Sequence, residues 1–378
     1  MRVPFLDLNI QYQSIRDEIA EAINRVLDSG QYILGPEAAA FEDAFALLHA
    51  NDPAAPPQCV GTNNGTAALH LALWASGIKR GDEVILPANT FIATAEAVLL
   101  CGATPVFADH DEYFTLDAED VERRITRRTR AILPVHLYGQ PANMPALRAI
   151  ADRHHLLLIE DAAQAHLASY AGKKVGGWGA ATAFSFYPGK NLGAYGEAGA
   201  VLTTDASLAE KMRRIRDHGS EKKYWHIVAG HNYRIEALQA AILSTKLRHL
   251  DAWTEARRAN ADYYRELLSD VPAVELPKIR DGARHVYHLF VIQAPDRDRL
   301  QAYLQQKEIS TGLHYPIPLH LQPCFGYLGY KEGAFPRAEK SAKRILSVPM
   351  YPELTKEQIE FVSNTIREFY ASEGARKK

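Results

Sequence analysis

Apolar residues recur every three to four positions through residues 11–28, where Ile15, Ile19, Ile23, Val26 and Leu27 share one face before Ser29-Gly30 ends the run. That spacing predicts a helix. A second helical stretch follows Pro36, and Pro53, Pro56 and Pro57 make residues 51–57 a loop. The rhythm then changes. Short apolar runs at 59–61, 83–86, 104–107, 130–135, 156–160, 181–185 and 200–203 predict strands. Helical stretches at 66–76, 92–101, 119–125 and 144–154 lie between them. Strands alternating with helices predict an α/β unit with a mainly parallel sheet. Beyond residue 235 the pattern is helical over 236–252 and on into 254–268, after which Pro272 and Pro277 open a smaller unit. It has a strand at 285–292, a helix at 297–306, a loop rich in Pro, Gly and Tyr over 314–336, and a last helix opened by a capping box from Thr355 to Gln358. The chain reads as a large α/β domain over 1–245 and a smaller α+β domain over 246–378, ending in a frayed Arg376-Lys377-Lys378.

Composition narrows the class of function. The 378 residues, at roughly 150 per domain, suit two units with ample core. Lys and Arg total 43 against 45 Asp and Glu, so no basic field invites nucleic acid. The cluster Arg123, Arg124, Arg127, Arg128 and Arg130 reads as a solvated face. Three scattered cysteines, Cys59, Cys101 and Cys324, lack a C-x-x-C and argue against a disulfide framework or a thiolate zinc site. The N-terminal residues carry no secretory pattern, and no apolar run has the length of a membrane span, so the expected setting is the cytoplasm.

Three stretches could carry chemistry. Ser185-Phe-Tyr-Pro-Gly-Lys190-Asn-Leu-Gly-Ala-Tyr-Gly-Glu-Ala-Gly199 sets a lysine in a glycine-rich loop between two strands. A lysine can form a Schiff base with a carbonyl, and burial lowers its pKa towards neutrality. Alone, it is as readily a solvated surface residue. Asp161 ends an apolar strand, where open α/β sheets bind ligands, and Gln164 follows about one turn on. Asp161 alone is as readily a helix cap. Gly61-Thr-Asn-Asn-Gly65-Thr66 runs into a helix start, whose free N–H groups favour phosphate, though many such starts bind nothing. Together the three supply a phosphate cradle, a carboxylate for a pyridine nitrogen and an amine for an aldehyde. That is the protein's part in pyridoxal phosphate chemistry.

The sequence resembles the DegT/DnrJ/StrS family of nucleotide-sugar aminotransferases across nearly its whole length. The landmarks are Phe5-Leu-Asp-Leu, Asp28-Ser-Gly-Gln-Tyr-Ile-Leu-Gly-Pro, Asn64-Gly-Thr, Gly81-Asp-Glu-Val, Glu160-Asp-Ala-Ala-Gln-Ala-His, Ser185 to Gly199, Asn232-Tyr-Arg-Ile-Glu-Ala-Leu-Gln-Ala-Ala and His314-Tyr-Pro-Ile-Pro. The resemblance implies the aspartate-aminotransferase fold (fold type I), pyridoxal 5'-phosphate (PLP) cycling with its pyridoxamine (PMP) form, L-glutamate as amino donor, and a homodimer with composite sites. It implies Lys190 as the Schiff-base lysine, Asp161 at the pyridine nitrogen and Gln164 at the ring hydroxyl. Gly65, Thr66 and Ser185 would hold the phosphate, Phe91 would stack on the ring, and Asn232 would reach the neighbouring subunit's cofactor phosphate. Arg234, His314 and Tyr315 fall where relatives contact the nucleotide sugar, although Arg234 could serve only a carboxylate and Tyr315 only packing. Relatives often have Gly where Leu167 stands, and those with His in place of the lysine are dehydratases. The opening Val3-Pro-Phe-Leu-Asp-Leu and the 314–323 run look like enzymes that aminate a 3-keto sugar, and the stretch 327–340 like those using a dTDP-linked 3-keto-6-deoxyhexose. A UDP-linked 3-keto-glucosaminuronate, a 4-keto sugar, another PLP chemistry and a non-catalytic regulator are the alternatives.

Overall fold

The computed structural model describes residues 1–376, so Lys377 and Lys378 of the expected tail lie outside it. Seven short strands form the main sheet of the described residues: β1 (Gln58–Thr62), β2 (Glu83–Pro87), β3 (Thr104–Ala108), β4 (Thr129–Ile132), β5 (Leu157–Asp161), β6 (Ala181–Ser185) and β7 (Gly199–Thr203). Their order is β1-β7-β6-β5-β4-β2-β3. β7 pairs antiparallel with both β1 and β6, and the other pairings are parallel. Every residue of β2, β6 and β7 is buried. This explains why they read as continuous apolar runs without alternation. The helix Gly65–Ala75 is buried over Ala67–Leu73, apolar on all sides, and packs on β6, β7 and β1.

The elements expected from the pattern are present with four corrections. The first helix is two, Leu8–Ser14 and Arg16–Ser29, joined at Ile15. Ile15 and Ile19 are both buried, so one apolar stripe runs across the joint and hides it from the sequence. The stretch 236–268 holds helices Ala237–Leu247 and Leu250–Leu268, with the break at Arg248-His249. The strand expected at 285–292 is Phe290–Gln293, paired antiparallel with Ile345–Val348. Its expected first half is engaged elsewhere: Val286 N–H donates to the Gly139 carbonyl at 2.9 Å and Leu289 N–H to that of Tyr138 at 3.3 Å. Helices Ala206–Arg216 and Pro336–Ala342 and the strand Ile345–Val348 were not expected. In the first of these, Ala209, Met212 and Ile215 are the buried apolar positions. The capping box is reciprocal: Thr355 N–H donates to Gln358 Oε1 at 3.0 Å and Gln358 N–H to Thr355 Oγ1 at 3.2 Å.

Four of the five arginines of the basic cluster are charge-compensated. Arg123 and Arg124 pair with Asp120, Arg128 with Glu83 and Arg130 with Asp82. Among the described residues no helix is long and apolar enough to cross a membrane, and no group of three or more His, Cys, Asp and Glu is arranged to hold a metal.

Glu160, wholly buried on β5, ties the sheet together just beside Asp161. It accepts hydrogen bonds from His136 Nε2 at 3.1 Å, Trp178 N–H at 3.1 Å, Gly179 N–H at 2.9 Å and Thr182 Oγ1 at 2.8 Å. Burial alone would raise its pKa, but these bonds outweigh burial and hold the carboxyl below its ordinary value. The folded-state pKa is depressed, so its stabilisation is present above the unfolded-state pKa and lost as pH falls through the folded one. Glu160→Ala leaves several buried donors without an acceptor and should destabilise the fold by roughly 3–5 kcal/mol in urea titrations at pH 7. The gap to wild type should narrow as the wild-type carboxyl protonates in acid.

Candidate active site

β5 and β6 run parallel with Asp161 beside Ala183, and their last residues, Asp161 and Ser185, line one cleft with the start of the helix Gly65–Ala75. There a cleft of about 960 Å³ gathers Asn64, Gly65, Thr66, Phe91, Asp161, Gln164, Ser185, Lys190, His314 and Tyr315. Residues far apart in sequence therefore meet because the sheet aligns the ends of its strands.

The helix start is open. Asn64 caps it by accepting from Ala67 N–H at 2.8 Å, while the N–H groups of Gly65 and Thr66 have no partner in the chain among the described residues. Such a start favours an anion. Glycine is required at position 65, since a Cβ there would lie 2.6 Å from Ser185 Cβ. The missing side chain lets the Ser185 hydroxyl sit beside the free N–H groups.

Lys190 lies in a tightly held loop. Its N–H donates to the Tyr187 carbonyl at 2.8 Å, Asn191 Nδ2 donates to Val286 O at 3.1 Å, and the buried Lys246 Nζ donates to Gly193 O at 2.6 Å. Burial pulls the Lys190 pKa down to about 8, against the opposing charge of Asp161. His314 lines the same cleft, and burial, with the Lys190 charge, lowers its pKa to about 4. His288 is pushed well below its ordinary value by burial first and by Lys190 next.

Asp161 accepts from Thr94 Oγ1 at 2.8 Å and from Ala163 N–H at 3.1 Å. Thr94 is bonded in turn to Thr90 Oγ1 at 3.0 Å. Burial raises the Asp161 pKa, and the Thr94 bond, the Ala163 bond and the Lys190 charge oppose it. Gln164 has its amide oriented: Oε1 accepts from Tyr138 N–H at 2.6 Å, which leaves Nε2 as a donor, 3.3 Å from the Tyr315 hydroxyl. Phe91 precedes the helix Ile92–Leu100 and is half exposed, with its ring 5.6 Å from that of Tyr315. The Tyr138 hydroxyl donates to the His314 carbonyl, and His314 Nδ1 lies 2.8 Å from Ser347 Oγ.

Two expected residues lie apart. Asn232 is exposed, and Arg234 bonds Asn232 Oδ1 at 3.1 Å and Asp217 Oδ1 at 2.9 Å. Their neighbour Tyr233 lines the cleft instead. Sequence reasoning did not find Thr94, Tyr138 or His288. Thr94 stands one turn after Thr90, a spacing that only the packed helix makes meaningful. Tyr138 sits at φ +61°, in the left-handed region rare for such a residue.

The amine, carboxylate and anion-binding helix start thus form one cavity whose donor set suits pyridoxal phosphate. The model of the DegT/DnrJ/EryC1/StrS aminotransferase family matches residues 13–367. The chain belongs to this family. A pleiotropic regulatory protein of Geobacillus stearothermophilus is 50% identical, over 98% of this chain and 99% of its own. The dTDP-3-amino-3,4,6-trideoxy-alpha-D-glucose transaminase of Streptomyces venezuelae is 48% identical, over 97% of this chain and 96% of its own. The X-ray structure of S. venezuelae DesV superposes with a TM-score of 0.94 at 48% identity, covering 97% of this chain and 98% of that one. The fold is accordingly fold type I, and the protein is a PLP-dependent aminotransferase. Leu167 sits at φ +66°, a backbone conformation that glycine adopts without strain.

Two outcomes follow from this geometry. Gly65→Ala forces the helix start away from Ser185, and overpacking of this kind costs about 1–3 kcal/mol. Titration of the apoprotein should show cofactor affinity reduced roughly ten- to a hundredfold, with the circular dichroism of the fold retained. Thr94→Val removes a donor that lowers the Asp161 pKa, so that pKa rises further. The acid limb of the activity profile should then move to higher pH, and an unmoved limb would separate Thr94 from Asp161 ionisation.

Proposed function

We propose that this aminotransferase moves an amino group from L-glutamate to the 3-keto carbon of a dTDP-linked 3-keto-6-deoxyhexose, for amino-sugar biosynthesis. The observation that carries the reaction type is the single cavity joining the Gly65–Thr66 helix start, Asp161 and Lys190. The nucleotide sugar is supported by the 48% identical transaminase, which covers nearly all of the chain. The regulatory name of the 50% identical relative favours no second reading here, because lysine, carboxylate and anion site are all present together.

Pyridoxal phosphate, when bound, supplies an aldehyde for the amines and an electron-withdrawing ring. The chain's own groups do the rest. Gly65, Thr66 and Ser185 would bind its phosphate, and Phe91 would lie against its ring. Asp161 holds a proton at the pyridine nitrogen, and its ionised form is favoured once that cation faces it. Gln164 Nε2 would donate to the ring hydroxyl, in the orientation that Tyr138 N–H imposes. Lys190 Nζ is the amine that would hold the aldehyde and would move the proton at the substrate carbon; a pKa of about 8 keeps a useful fraction of it as free base near neutrality. His314 and Tyr315 contact the sugar, and Arg234 its nucleotide or a carboxylate. The neutral state of His314 keeps a second cation away from Lys190.

We also infer a division of the chain near residue 245. In support, one buried cluster holds Leu243 and Leu250 with Phe184 and Phe186, and another holds Ala261, Tyr264 and Leu268 with Phe290, Leu346 and Ile359. The active unit is a homodimer in which Asn232 reaches the partner's cofactor phosphate, in keeping with its exposed position outside its own cleft.

Complementation tests the composite site. Lys190→Ala and Asn232→Ala should each be impaired, the first by orders of magnitude in turnover and the second mainly in cofactor retention. Allowed to exchange subunits, they form a mixed dimer with one intact site. Activity should exceed the sum of the parents. Verified exchange without recovered activity would show that Asn232 serves its own chain. Absence of near-visible absorbance bleached by L-glutamate in the wild-type protein would overturn the transaminase reading itself.

A further inference from the structure

The segment Val3–Leu6 forms a wall of the cleft beside Lys190. It is fixed at both ends. Val3 is fully buried, its N–H donating to the Glu308 carbonyl at 3.0 Å and its carbonyl accepting from Ser310 N–H at 2.9 Å. At the other end Asp7 accepts from Asn9 N–H at 3.0 Å and Ile10 N–H at 3.1 Å, starting the helix Leu8–Ser14. Between these anchors Phe5 and Leu6 turn into the cleft, both part-buried. The Phe5 ring stacks on His314 with centroids 5.7 Å apart and planes 18° apart. Leu6 Cδ2 lies 3.5 Å from the point where Gly189 would carry a Cβ, so its methyl groups abut the residue before Lys190. Met350 adds to the apolar lining.

A six-membered sugar ring that presents its keto carbon to Lys190 Nζ keeps its other substituents within a ring's width of that amine, and any that turns towards the residue before Lys190 meets the wall there. On this side the surface is Leu6 and Phe5, whose side chains offer no hydrogen-bonding group. Resting on the nucleotide-sugar reading above, we propose that Phe5 and Leu6 seat the substituent on sugar carbon 5 and select a methyl group there over a hydroxymethyl or a carboxylate. A hydroxyl placed on this wall gives up water without a replacement partner, and a carboxylate gives up far more. Discrimination against an added hydroxyl by an apolar wall is bounded at about a hundredfold.

The test uses the holoenzyme and three dTDP-linked 3-amino hexoses that differ only at carbon 6 (methyl, hydroxymethyl or carboxylate), assayed with 2-oxoglutarate in the reverse direction. Wild type should prefer the methyl sugar over the hydroxymethyl one by about ten- to a hundredfold in kcat/KM, and over the carboxylate by more. Leu6→Asn and, separately, Phe5→Tyr should reduce the methyl-to-hydroxymethyl ratio at least several-fold, mainly through the sugar's KM. Any general loss of folded enzyme cancels in that ratio. An unchanged ratio in both variants, or a wild type that favours the hydroxymethyl or carboxylate sugar, overturns the seat. If L-glutamate converts the cofactor but none of the three sugars reacts, the nucleotide-sugar reading has failed and takes the seat with it, an outcome distinct from an unchanged ratio.

Discussion

Lys190 and Asp161 share one buried cleft, and burial works against the charged form of both. Lys190 gains from this: removal from water lowers its pKa to about 8. Asp161 loses by it, since the same burial raises its pKa. The surrounding structure is arranged to correct only the second effect. Thr94 and the Ala163 N–H donate to the carboxylate, while no hydrogen-bonded partner holds the Lys190 ammonium among the described residues. The two groups also tune each other, the charge of Asp161 raising the Lys190 pKa and that of Lys190 lowering the Asp161 pKa. Environment thus drives two titratable groups in opposite directions within one cavity, which is how acid and base roles are separated at neutral pH.

The geometry around this pair is set by backbone carbonyls held by buried cations. Lys246, 1% exposed, reaches the Gly193 carbonyl three residues beyond Lys190 and lies 4.9 Å from the Tyr195 ring centre. Arg257, also buried, donates to the carbonyls of Tyr287 at 3.2 Å, His288 at 3.4 Å and Met350 at 2.9 Å. Burial lowers both pKa values, to about 8 and about 10, and the Glu353 carboxylate opposes the shift in each. A buried cation bonded to carbonyls is expensive to displace, because its hydrogen bonds have no substitute in the core. The lysine loop and the His288 segment are therefore fixed relative to each other, although they belong to distant parts of the sequence.

What could be read from sequence follows from what kind of signal each feature leaves. The βα rhythm was legible because strands buried on both faces are short apolar runs bounded by polar turns, as at Glu83–Pro87. The helix break at Arg248-His249 left no such mark, since the apolar spacing continues through it. The lysine, Asp161 and Gly65 stretches were legible because loop glycines, strand-end carboxylates and helix starts are local patterns. Thr94 and Tyr138 were not, because their roles are contacts: one hydroxyl and one backbone N–H that matter only once helix Ile92–Leu100 brings Thr94 to Asp161 and the turn at Leu137–Gly139 brings Tyr138 to Gln164. Gly65 shows both kinds of information. Its place before a helix is visible in sequence, but the reason that no other residue fits, the 2.6 Å approach to Ser185, is visible only in the fold.

The segment carrying Asn232 and Arg234 applies strand geometry to two surfaces at once. It runs beside β1, with Asn63 N–H donating to the Tyr233 carbonyl at 3.0 Å and Thr62 bridged antiparallel to Arg234. Extended backbone turns successive side chains to opposite sides. Tyr233 therefore faces its own cleft, where its hydroxyl lies 3.0 Å from His70 Nδ1 on the helix that begins at Gly65, and its two neighbours face away. Asp217 holds Arg234 on that outer side, and Arg234 in turn holds Asn232. Asn232 is thus held outward by its own chain before any partner meets it. In the proposed dimer the same three residues would serve two cavities, Tyr233 lining its own and Asn232 offered to the partner's.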